Sequence, residues 1–115
     1  MAIRTKSALV TLTATAAQVL ASADNEALTI AKALACNTDT SARTISVYHD
    51  VTGSDGAVAT TQIIRNKSIA PGDTIPLPLS SLFVINGGKL WAVADVAGKV
   101  NLDISYNSAD QTKVI

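Results

Sequence analysis

Alternation of apolar and polar residues is clearest in KVNLDISYN. Val100, Leu102, Ile104 and Tyr106 fall on one side, and Lys99, Asn101, Asp103 and Ser105 on the other. A period of two with one polar side predicts a half-buried strand. Leu90–Val96 predicts a second strand, with Leu90, Ala92 and Ala94 inward and Lys89, Trp91, Val93 and Asp95 outward. VAGK lies between them, and Gly98 can take a positive φ there. The pair therefore reads as an antiparallel hairpin. RTISVYHDV is a further strand, with Ile45 and Val47 on one side and Thr44, Ser46 and Tyr48 on the other. Its β-branched and aromatic residues suit a pleated surface.

The loops NTDTSA and TGSDGA flank that strand. VATTQIIRNKSI follows as strand, and APGDT as a turn on Pro71 and Gly72. In TIPLPL, Pro76 and Pro78 remove two amide donors from the same side, which predicts an edge or extended segment. SALVTLTAT is a strand with Ala8, Val10 and Leu12 together. DNEALTIAKALACN supports two readings. A helix is favoured by its Ala, Leu, Glu and Lys and could be capped by Asp24 or Asn25. A strand places Leu28, Ile30, Leu34 and Cys36 on one side, with Lys32 as the exception. The strand is preferred, because a lone helix would need its own packing layer.

Seven or eight short strands punctuated by turns predict an all-β fold, a single-domain antiparallel β-sandwich of jelly-roll or immunoglobulin-like type. The expected boundaries are an N-terminal arm at 1–6, the sandwich at 7–106 and a polar C-terminal tail at 107–115.

Composition narrows the function. The 115 residues suit one domain. Nine basic residues balance nine acidic ones, so the broad positive field of a nucleic-acid binder is missing. No apolar run reaches the ~20 residues of a membrane helix, and MAIRTKSALV lacks the apolar core of a signal peptide. A single cysteine excludes an internal disulfide. Hydrophobic residues make up 48% and charged ones 16%. Either the surface is partly apolar, which implies a partner, or alanines inflate the count.

Candidate chemistry is thin. Cys36 and His49 are the chain's only residues of their kinds. In a hairpin joining their strands they would sit roughly 16 Å apart, too far for the imidazole to activate the thiol. One Cys and one His cannot supply the four ligands of a structural zinc site. NGGK at 86–89 is a turn and lacks the remaining residues of a phosphate-binding loop. Asp95 and Asp103 could face each other across the hairpin that turns at Gly98, on its solvated side. No enzyme, metal or cofactor is expected. Trp91 stands out, because an outward Trp is a favoured interface anchor. The reversed phase would make it the core aromatic, and both readings stay open.

The order of segments resembles a family of small tailed-bacteriophage virion structural proteins. The blocks CNTDTSARTISV, IAPGDTIPL and GGKLWAVADVAGKVNLDIS carry the likeness, between about Leu28 and Tyr106. This chain has GGK where the family usually has an acidic GD, and it extends further at its C-terminus.

The resemblance implies a β-sandwich without catalytic residues. It also implies a role as a capsid decoration (cement) protein on the outer head, or as a head–tail connector, neck or tail component. Expected partners are the major capsid protein or other virion subunits, and further copies of the chain, with a trimer as the first guess. No nucleic acid or membrane is expected as a partner. The chain would be made in the host cytoplasm and reside on the phage particle surface. Candidate contact residues are Trp91, Val93 and Lys89 on the outward strand, Arg4 and Lys6 in the arm, and Lys113, Val114 and Ile115 in the tail. A carbohydrate-binding module is the remaining class, although such sites usually show more exposed aromatics than this chain has.

Overall fold

A computed structural model describes residues 3–110, the side chain of Asp110 excepted. Nine strands are present among them: β1 Ile3–Thr11, β2 Ala17–Ala21, β3 Glu26–Asn37, β4 Arg43–Asp50, β5 Gln62–Ile69, β6 Thr74–Pro76, β7 Phe83–Ile85, β8 Lys89–Ala94 and β9 Val100–Asp110. None of the described residues is helical. Residues 26–37 form the strand that their alternation favoured over a helix.

The strands make two antiparallel sheets. One runs β1-β9-β3-β6, with β7 also paired to β3; the other runs β2-β8-β4-β5. The pairs β1·β9, β2·β8, β3·β6 and β4·β5 are what results when one long antiparallel hairpin is rolled up. This is the jelly-roll arrangement, and it separates the fold from the immunoglobulin alternative. The short β7 is an addition at the far end of β3, opposite Ala27–Thr29.

Rolling places most consecutive strands in different sheets. Only β4 and β5 form a direct hairpin. The expected hairpin of β8 with β9 is therefore corrected. The turn at Gly98 carries the chain from one sheet to the other, and β9 pairs with β1 and β3 instead. The strand–loop–strand around Cys36 and His49 is likewise a crossover. Asp95 and Asp103 belong to different sheets and do not face each other.

The core lies between the sheets and is aliphatic. Leu12, Ile30, Ile45, Val47, Ile69, Leu79, Leu90, Leu102 and Ile104 are among its fully buried side chains. Each contributes roughly 1.5–3 kcal/mol by leaving water. The inward phases expected for β1, β4 and β9 are found, and of the two phases left open for β8 the one with Leu90, Ala92 and Ala94 inward holds.

In β3 the phase changes midway. Leu28 and Ile30 point inward, but the register shifts between Ile30 and Lys32, and beyond that Ala33, Ala35 and Asn37 are buried. Leu34 and Cys36, expected inside, lie on the outward side and are half-buried. A bulge inserts one unpaired residue and reverses every side chain after it. It also lets Lys32, the exception in a uniform alternation, reach solvent.

At the termini, Ile3–Lys6 pair with Tyr106–Ala109 as the ends of β1 and β9, so the ladder extends into the segments expected as arm and tail. Polar residues dominate there, and backbone pairing rather than burial sets the conformation. Residues 1–2 and 111–115 lie outside the described residues.

Candidate assembly surfaces

Trp91 lies on the outer face of the four-stranded sheet, opposite Tyr48 on β4 and Gln18 on β2. Val93 and Lys89 share that face, opposite Ser46 and Asp50. All three expected contact residues of β8 are brought together and half-buried. Tyr48 and Gln18 complete the surface. Neither stood out in the sequence, since only the pairing register reveals them as neighbours.

The β4–β5 loop, residues 51–61, folds back at the Asp50 end of this surface. Asp50 has the outward phase, yet it is completely buried. Its carboxylate accepts the N–H groups of Gly53 at 3.0 Å, Asp55 at 3.2 Å and Gly56 at 2.9 Å. Burial alone would raise its pKa. The Gly56, Asp55 and Gly53 amides outweigh that and hold it below the ordinary carboxylate value. The Trp91 indole lowers it further, although Nε1, itself buried, has no partner at hydrogen-bonding geometry; the contact is a weak one. Thr61 closes the loop by donating to the Gly56 carbonyl at 2.8 Å. Gly53, at φ +81°, passes so close to the β7–β8 turn that a Cβ would come within 2.1 Å of the Gly87 oxygen.

The remaining candidates are dispersed. His49 sits at the end of the inward face of β4 and is half-buried. Burial lowers its pKa, against opposing contributions from Asp50 and from a hydrogen bond to the Phe83 backbone. Cys36 lies on the outer face of the other sheet, so thiol and imidazole are not brought together. Asp95 instead serves the opposite end of the sandwich. It accepts the Thr44 N–H and lies 3.5 Å from Arg43, which also binds Asp39 at 2.6 Å. Among the described residues, no group of three or more His, Cys, Asp or Glu is placed to hold a metal ion.

Arg4 and Lys6 lie on β1, in the other sheet from Trp91. They have the inward phase, opposite Ser108 and Tyr106, but are exposed. Lys113, Val114 and Ile115 fall outside the described residues. The sequence reading missed a second surface, the outer face of the five-stranded sheet. There Ile3, Leu9 and Phe83 are 69%, 71% and 58% exposed. Alternation set Leu9 on the side away from Ala8, Val10 and Leu12, but that Ile3 and Phe83 share its face depends on the pairing of distant strands.

No family model matches the chain, and no curated protein matches it in sequence. Solved structures match it in fold. A chain of the Gx strain of infectious bursal disease virus superposes with TM-score 0.55 at 13% identity, covering 100% of this chain and 35% of that one. A chain of the T13 particle of the same virus gives 0.54 at 12%, covering 95% and 31%. A chain from the Bacillus endospore appendages, described as disulfide-linked pili, gives 0.52 at 13%, covering 94% and 88%. The chain thus spans about a third of the viral chains and most of the appendage chain. At such identities the likeness is one of fold alone.

Proposed function

We propose that this chain is a non-enzymatic structural subunit of a tailed-phage virion, and specifically a decoration protein that binds the outer head and stabilises the shell. The observation that carries the reading is the rolled pairing of β1·β9, β2·β8, β3·β6 and β4·β5, a fold this chain shares with chains of a viral particle. The sequence blocks that resemble phage virion proteins support it. They map onto the β3–β4 crossover, the β5–β6 turn and the β8–β9 segment, the parts that set this topology.

In this reading the Trp91 face docks on the major capsid protein. Trp91 and Tyr48 supply apolar area at small entropic cost, and Lys89 and Gln18 supply the polar rim. Many weak contacts to a repeating shell add up through effective concentration. Arg4, Lys6, Lys113, Val114 and Ile115 are auxiliary contacts to neighbouring subunits. Co-sedimentation with purified heads tests this. Trp91→Ala should fold normally and lose attachment at least about tenfold, whereas undiminished attachment contradicts the assigned face.

A second reading is a connector, neck, tail or fibre subunit. The endospore appendage chain favours it, because there the match spans nearly the whole of both chains. Location on the particle separates the two.

A further inference from the structure

An antiparallel sheet with one face on the core usually turns a charged, polar face to water. The outer face of the five-stranded sheet is polar, through Thr5, Ser7, Thr11, Asn101, Ser105 and Asn107, but nearly uncharged. At their outward positions its strands carry only two charges among the described residues, Lys32 on β3 and Asp103 on β9, and they expose Ile3, Leu9 and Phe83. Lys32 pairs with Ser105, and Leu34 with Asp103, so the two charges are diagonal neighbours on adjacent strands. Such neighbours lie about 7–8 Å apart, and these two make no ion pair with each other.

We propose that this face binds a second copy of itself. The two-fold axis lies in the plane between the two faces and passes midway between Lys32 and Asp103. With the axis perpendicular to the line that joins them, that operation sets Lys32 of each copy against Asp103 of the other and withdraws Leu9 and Phe83 from water. An isologous contact requires each charge to meet its opposite at the symmetry-related place. A single adjacent Lys–Asp pair satisfies that requirement, and two like charges would not.

The ladder gives the scale. The three long strands β1, β9 and β3, about 4.8 Å apart at ~3.3 Å per residue, with the short β6 and β7 beside β3, give the face at most roughly 500–600 Å² per copy. A standard interface buries ~800 Å² per partner. The contact is therefore weak between isolated molecules and gains strength when repeated. It leaves the Trp91 face open on the opposite sheet, so one sheet can serve copies of the chain and the other a different partner. The contact is a property of the purified chain and does not rest on the virion reading.

Sedimentation of the full chain from about 10 µM to 1 mM spans the expected affinity. A concentration-dependent monomer–dimer equilibrium is expected. Lys32→Glu alone and Asp103→Lys alone each weaken it about tenfold, the double reversal restores it, and Lys67→Glu on the other sheet changes nothing. Circular dichroism confirms that each variant is folded. Monomer throughout the range, single reversals without effect, or a folded double variant that fails to recover would each overturn the proposal.

Discussion

The carboxylate of Asp50, at the end of β4, accepts the N–H of Gly56 at 2.9 Å and so ties the middle of the 51–61 loop back to the strand from which it leaves. The same group holds Gly53 and Asp55. Asp50→Ala leaves three amides without their acceptor and opens the loop beside Trp91. The expected result is a Tm lower by roughly 5–15 °C and faster proteolysis within 51–61. Thermal melting with mapped cleavage sites checks both. An unchanged Tm would show that the loop is held by something else.

Acid should destabilise the fold in two stages. His49 has a pKa lowered chiefly by burial. The folded chain therefore takes up its proton less readily than the unfolded chain, and stability falls as pH drops below about 6.5. Asp39 is held low chiefly by its hydrogen bonds from Arg43, and Asp50 by the loop amides against its burial. Both contribute stability above the ordinary carboxylate pKa and lose it as pH falls through their lower folded values. Tm against pH should be flat above neutrality, decline gently and then drop steeply, with His49→Gln removing the first decline. A Tm that rises between pH 7 and pH 5 contradicts this.

Close backbone approach at a positive φ makes Gly53 unlike the other loop glycines. Gly53→Ala drives a Cβ into the Gly87 carbonyl at a positive φ and should cost more than ~2–3 kcal/mol. Gly72→Ala, at φ +71° but with open space around it, should cost about 1 kcal/mol. Urea unfolding of the pair measures the difference, and equal losses would remove the contact from the account.

The bulge in β3 makes opposite demands on neighbouring residues. Ala35 is fully buried, whereas Cys36 faces outward. Ala35→Asp places an unpaired charge in the core and should cost more than ~3 kcal/mol, whereas Cys36→Asp should cost less than ~1 kcal/mol. Denaturant melts compare them directly. The reverse order would mean that β3 keeps one phase throughout.

These residues show what can be read in a sequence of this kind. Strand positions and inward phases follow from local alternation wherever the strand is regular, as in β4 and β9, whereas in β8 the alternation of Ala92 and Ala94 with Trp91 and Val93 left the phase open. The bulge left one trace, Lys32 on a side assigned to the core, and a single charge did not decide between an exception and a phase change. Pairing left no local trace. The pattern around Gly98 is that of a tight turn whether the chain doubles back within a sheet or crosses to the other one, and the rolled topology chooses crossing. The Trp91 face was legible because one large aromatic marked it. Its neighbours Tyr48 and Gln18, and the whole Lys32–Asp103 face, become visible only once strands distant in sequence lie side by side.

The central claim, that this jelly roll is a subunit held in a repeating shell, is tested most directly by cryo-electron microscopy of phage particles that carry the chain. Density for the sandwich is expected at many symmetry-related sites on the outer head, with the Trp91 face against the capsid. Particles with complete heads and no such density on them would contradict it.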